Sequence, residues 1–169
     1  MISDNTVTNQ NEETITKTRT NYNFVINEKN MRLLTLDSLK VGDEIPALTI
    51  PPLTSYTLAL YFGASGGHNP FHVDIDFAKL SRLDEVIVQG MFSTGFLVRL
   101  LTNWAPQPAL RSSKNRFVAT NHINNESVTS TGKFIEIFVV DREQLVRLEL
   151  QMDTPQVQTI VAEAVVALD

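Results

Sequence analysis

Seven consecutive residues, Gly66-Gly67-His68-Asn69-Pro70-Phe71-His72, hold the densest chemistry in the chain. Paired glycines let the backbone take positive φ and approach a ligand closely. Asn69-Pro70 marks a rigid turn. His72 is therefore carried on a constrained loop. An imidazole there, beside a buried helix, is a general-base candidate, because it titrates near neutral pH and can take and return a proton. The competing reading is a histidine that only holds its own turn, and the residues by themselves leave both open. A second group, Gln89-Gly90-Met91, opens a long apolar segment. A helix start presents unpaired N–H groups and partial positive charge, and Gly90 has no side chain to keep a carbonyl oxygen away from them. That is the physics of an oxyanion site. A glycine needed only for close packing is the alternative.

These two groups need a frame. Residues 89–104 (QGMFSTGFLVRLLTNW) form the most apolar helix candidate, interrupted only by Arg99, Thr102 and Asn103. A helix apolar nearly all round is a buried one. Met91, Phe92, Phe96, Leu100, Leu101 and Trp104 read as core, with some of them at the edge of a pocket. Upstream, Thr54 or Ser55 caps a short helix running to about Phe62, and residues 77–85 suggest another. PALTIPPLT reads as extended chain after a turn at Val41-Gly42-Asp43. Beyond Pro108 the period changes to two. Residues 128–140, 143–152 and 157–168 are β-rich and joined by short turns at Asp141-Arg142 and Asp153-Thr154-Pro155, an antiparallel meander. The expected class is α+β, a sheet curled around one helix. Its open edges favour pairing with a second copy or a relative.

Composition narrows the function. The balance of 14 Lys+Arg against 19 Asp+Glu gives a net charge of −5, which argues against a surface for nucleic-acid phosphates. No cysteine is present, so there is no disulfide or thiol nucleophile, and with three scattered histidines no metal site is expected. No cofactor is expected either. No apolar run reaches the roughly 18 residues of a membrane span, and the polar start lacks a secretory pattern, so a soluble cytoplasmic protein is the default. Residues 1–30 read as a polar leader, disordered or acting as a docking arm (TITKTRTNYNFVI), and 31–169 as one domain.

The stretch YFGASGGHNPFHVDIDFAK, with QGM downstream, resembles the MaoC-like family of hot-dog-fold (R)-specific enoyl-CoA hydratases. The family motif is Gly-Asp-x-Asn-Pro-x-His, followed by an acidic residue and later by His-Gly-Met. The resemblance covers residues 34–169, including TLDSLKVGDEIP. It implies a hot-dog fold, an antiparallel sheet wrapped around a long central helix. It implies an acyl-CoA or acyl-carrier thioester as substrate, and reversible addition of water to a trans-2-enoyl group. It also implies a homodimer, or a heterodimer with another hot-dog subunit. Carried over by position, His72 activates water and the Gly90 N–H polarises the carbonyl. Asn69, Phe71, Asp74 and Met91 lie at substrate-binding positions.

One departure stands out. The family's catalytic aspartate falls on Gly67, whose side chain is absent, and the helix start reads Gln89 instead of histidine. Three readings follow. A nearby group such as His68 or Asp74, or a second water, replaces the carboxylate. Alternatively, the chain is a non-catalytic subunit that binds acyl-CoA and pairs with an active one. In the third, His72 works alone in thioester hydrolysis. Arg111, Lys114 and Arg116 could meet a coenzyme phosphate, although a solvated loop explains them too. His122, Lys79 and Arg82 read as surface.

Overall fold

The computed structural model describes residues 2–8, 14–21, 39–123 and 127–168. The expected domain start near Met31 lies outside them. In the leader, β1 (Ile2–Thr8) and β2 (Thr14–Asn21) pair antiparallel, with Ile2 facing Asn21. The expected turn at Gly42 forms with φ 100°, and it is stitched to the sheet from both sides. Gly42 N–H donates to Phe134 O at 2.8 Å, and Phe134 N–H donates to Asp43 O at 2.9 Å.

Five strands make the main sheet: β3 (Glu44–Ile50), β4 (Leu110–Phe117), β5 (Val128–Val140), β6 (Glu143–Asp153) and β7 (Gln158–Leu168). All pairings are antiparallel, in the order β3-β5-β6-β7-β4. The period of two is clearest in β6, where Leu148, Leu150 and Met152 are wholly buried and Glu149 and Gln151 face water. The expected turn at Asp141-Arg142 joins β5 to β6. Both residues have positive φ, 50° and 70°, as a two-residue hairpin turn requires.

β4 did not stand out in the sequence. It carries Ser113 and Asn115 inside and Arg111, Lys114 and Arg116 outside, so it is polar on both faces and shows no alternation. Its edge position in the sheet permits this. β1 comes within 8 Å of β4, Cα to Cα.

Among the described residues three α-helices precede β4: α1 (Ser55–Ser65), α2 (Ile75–Leu80) and α3 (Gly90–Trp104). α3 matches the expected buried helix and packs on β3, β5 and β6. Leu97 and Leu101 are wholly buried in one core with Phe134, Leu148, Leu150 and Met152, and the Trp104 ring lies 5.1 Å from Phe134. Burying one such side chain contributes about 1.5–3 kcal/mol. No helix among the described residues is long and apolar enough to cross a membrane.

Gly132 in β5 permits this packing. A Cβ there would stand 2.8 Å from a Leu150 methyl and 2.9 Å from Ile45 Cδ1. Chemical denaturation should show Gly132→Ala less stable by about 1–3 kcal/mol, the usual cost of overpacking. The same measurement should show Arg142→Gly more stable by about 0.5–1 kcal/mol, because glycine removes the left-handed strain at φ 70°.

Candidate active site

α1 begins where Thr54 Oγ1 accepts the Thr57 N–H at 3.2 Å, so the expected cap forms. The helix runs past Phe62 to Ser65 and stops at Gly66, whose φ of 69° is the left-handed C-cap conformation. After Gly67 and His68 the chain makes a 3₁₀ turn, Pro70–His72, closed by His72 N–H to Asn69 O at 3.2 Å. Asp74 then caps α2, its Oδ1 accepting from Asp76 N–H at 2.9 Å and Phe77 N–H at 3.0 Å. That cap starts α2 before the expected residue 77. The helix ends at Leu80 instead of 85, because Arg82 turns left-handed with φ 63°.

The loop and the start of α3 enclose a cavity of about 380 Å³ lined by Tyr61, Ser65, Gly67, His68, Asn69, His72, Gln89, Gly90 and Met91. The two sequence groups, His72 with its loop and Gln89-Gly90-Met91, therefore meet in one space. Phe71 and Asp74 do not line it. Phe71 packs against the core, and the Asp74 carboxylate is taken up by the α2 cap.

His72 is half-buried, and its Nδ1 lies 2.8 Å from the Ile87 carbonyl oxygen. A carbonyl only accepts, so Nδ1 carries the hydrogen. Nε2 of the neutral ring is then an acceptor. The Ile87 strand is itself anchored: Ile87 bridges His122, and Val88 N–H donates to Asn121 O at 2.7 Å. The imidazole is thus oriented by a backbone group fifteen residues away in the chain.

Gly90 is the first residue of α3, so its N–H has no partner within the helix. The Gln89 side chain makes no capping bond. Its Nε2 instead donates to Leu58 O at 3.4 Å, and its Oε1 is buried without a partner. A Cβ on Gly90 would lie 3.0 Å from two Phe117 ring atoms. Close packing and an open N–H are both real demands on this glycine. Gly67 has neither restriction: its φ is not left-handed, and a Cβ would meet only Ser65 Oγ, at 3.4 Å.

Among the other candidates, Arg111 lies on β4, not on a loop, and forks onto Glu143 with both carboxylate oxygens 3.0 Å from Nε. That hydrogen bond and the guanidinium charge hold the Glu143 carboxyl below the usual range. Lys114 and Arg116 border a different depression, of about 370 Å³, whose rim also holds Glu149 and Glu163. Charge of both signs there does not favour a phosphate. His122, expected at the surface, is half-buried, with Nε2 2.7 Å from Thr120 Oγ1. Lys79 and Arg82 are exposed.

Tyr61 and Ser65 were not foreseen in the site. They follow the fully buried Leu58 at i+3 and i+7, so one face of α1 runs from the core into the cavity. The spacing carried that signal, but exposed Tyr56 and Leu60 made the helix apolar all round and hid it.

Residues 40–150 match the family model for the MaoC like domain. Over 86 residues the chain is 27% identical to the peroxisomal enoyl-CoA hydratase 2 of Arabidopsis thaliana, covering 49% of this chain and 28% of that protein. The chain therefore spans well under two thirds of this curated relative. A solved MaoC-like dehydratase superposes with TM-score 0.73 at 24% identity, over 80% of this chain and 42% of that one. A chain of the ChsH1-ChsH2 complex from Mycobacterium tuberculosis superposes with TM-score 0.67 at 19% identity, over 77% of this chain and 98% of that one. These likenesses show the fold, a hot-dog of antiparallel sheet around one long helix. Because the family match spans most of the chain and takes in the His72 loop, the Gln89-Gly90-Met91 turn and the central helix, this protein belongs to the MaoC-like family.

Proposed function

We propose that the protein is an acyl-thioester hydratase or dehydratase acting on a trans-2-enoyl group carried by coenzyme A or a carrier protein. The observation that carries this reading is the His72–Ile87 hydrogen bond, which leaves Nε2 as the acceptor of a ring that lines the same cavity as Gly90. Family membership and the enoyl-CoA hydratase relative support it.

The chemistry follows from these two groups. Nε2 of His72 takes a proton from water as the water oxygen bonds to Cβ of the enoyl group. The Cα=Cβ electron pair moves toward the thioester carbonyl, and the charge that builds on its oxygen meets the Gly90 N–H. The imidazolium then returns its proton to Cα, which restores the carbonyl and the neutral base. The sum is one water added, and the reverse sequence removes it. Asn69 shapes the loop and Met91 borders the acyl path. Asp74 engages its Oδ1 in the α2 cap and does not line the cavity, which counts against it as the replacement for the missing carboxylate. In this scheme His72 serves as both base and acid.

Gly67 favours a second reading. Loss of one of two acid–base groups, each worth about 10²–10⁴ in rate, suits a subunit that shapes an acyl site while a partner supplies the chemistry. The ChsH1-ChsH2 complex, one chain of which shares this fold, gives that reading a structural parallel. Thioester hydrolysis ranks below both, since no lining residue is a carboxylate.

Loss of enoyl absorbance, followed with a panel of trans-2-enoyl-CoA thioesters, tests the assignment. The native chain should turn over, and His72→Ala should cut kcat by at least about 10²; full activity in His72→Ala would sink the role given to His72. Gly67→Asp should fold with stability within about 0.5 kcal/mol of native, since its Cβ meets only ordinary contact, and should raise turnover. Turnover in Gly67→Asp alone would favour the paired-subunit reading, and turnover in neither would remove the hydratase reading.

A further inference from the structure

Four polar side chains line the cavity without a part in that scheme: Tyr61, Ser65, His68 and Gln89. Ser65 Oγ accepts the Gly67 N–H at 3.2 Å, and the exposed His68 ring rests 4.9 Å from Phe62. Tyr61 is placed differently. Its ring stacks on Phe92, with centroids 4.5 Å apart and planes 16° from parallel. Phe92 belongs to the first turn of α3, the turn that Gly90 begins. Phe92 in turn packs on Phe96 at 4.9 Å, so the stack is continuous with the core. A second tie, from Gln89 Nε2 to Leu58 O, fixes α1 to the same helix start one turn before Tyr61. Tyr61 is therefore held in the cavity that Gly90 also lines, against the first turn of α3. It makes no hydrogen bond among the described residues. Burial raises its pKa above the ordinary phenol value, so the O–H keeps its proton through neutral pH. Gln89, only 5% exposed, leaves Oε1 without a partner at this same point, so the helix start holds more polar capacity than the fold itself uses.

We infer that the Tyr61 hydroxyl donates a hydrogen bond to the substrate's carbonyl oxygen and forms, with the Gly90 N–H, a two-donor oxyanion site. This rests on the acyl-thioester reading above. The donated proton stays on the phenol throughout. As water adds to Cβ, the oxygen changes from carbonyl to enolate, and both donors bind it more strongly. When His72 protonates Cα, the carbonyl returns and the bond weakens again. A donor that strengthens only as charge develops raises kcat more than it lowers KM. With no carboxylate at position 67, a second neutral donor also adds no competing negative charge beside the enolate.

The test uses cinnamoyl-CoA, a conjugated thioester whose absorption moves to longer wavelength when its carbonyl is polarised. Tyr61→Phe keeps the ring and its stack on Phe92, so the fold is preserved, and Tyr56→Phe on the exposed side of α1 is the control. The native chain and Tyr56→Phe should bind the probe with the same red shift. Tyr61→Phe should bind it with similar affinity in calorimetry and lose at least half of that shift. With a substrate that turns over, Tyr61→Phe should lower kcat by about 10²–10³ with little change in KM, the usual effect of removing one oxyanion donor. An unchanged red shift in Tyr61→Phe would overturn the role of Tyr61 and leave the thioester reading intact. No binding of cinnamoyl-CoA by any variant would overturn both.

Discussion

The placement of α3 governs everything at the site. Its inner face, with Thr94, Leu97 and Leu101 wholly buried, is enclosed by the sheet, and interiors are packed too densely for such a helix to slide or turn without opening voids. The start of α3 is therefore fixed in space. Gly90 is fixed with it, and the Phe117 ring, 3.0 Å from where a Cβ would stand, closes the remaining freedom on that side. An oxyanion donor is useful only if it does not have to reorganise when charge develops. Core packing supplies that rigidity. The small residue at position 90 serves the packing, and in the proposed scheme it serves the chemistry as well.

His72 is oriented by a different route. No side-chain carboxylate holds its ring. A backbone carbonyl at Ile87 does, and that segment is bound in turn to residues 121 and 122. A carbonyl cannot lose its hydrogen-bonding role by protonation, so the tautomer does not depend on a neighbouring titration. Gly67, where the motif that the sequence resembles has an aspartate, has room for a larger side chain. The cavity is lined by two imidazoles, His68 and His72, and by no carboxylate. That combination suits either a reduced hydratase or a subunit whose pocket has outlived its acid.

The polar leader and the sheet edge are linked through the same packing logic. Open edges in a sheet wrapped on one helix invite pairing, and β1 comes within 8 Å of the edge strand β4, Cα to Cα. β4 could be polar on both faces because an edge strand needs only one neighbour and part of one apolar face. This is why its sequence, LRSSKNRF, looked like a basic loop. Arg111, a candidate phosphate contact, ends up serving the sheet through Glu143.

Local pattern made much of this protein legible from its residues. The apolar run 89–104 could only be a buried helix, the alternation of β6 could only be a half-buried strand, and Asn69-Pro70 with its glycines could only be a rigid loop. Each of these depends on neighbours a few positions away. The family motif placed His72, Gly90 and the missing carboxyl of Gly67 in one expected site. Tertiary structure alone decided the rest. The tautomer of His72 rests on a carbonyl fifteen residues distant. Asp74 does not line the cavity, and its Oδ1 caps two amides of α2 instead. Tyr61 joined the site because its ring found Phe92 across a gap of thirty-one residues. Spacing in the chain reports which face a side chain takes. Which distant group meets that face is settled only when the core closes around α3.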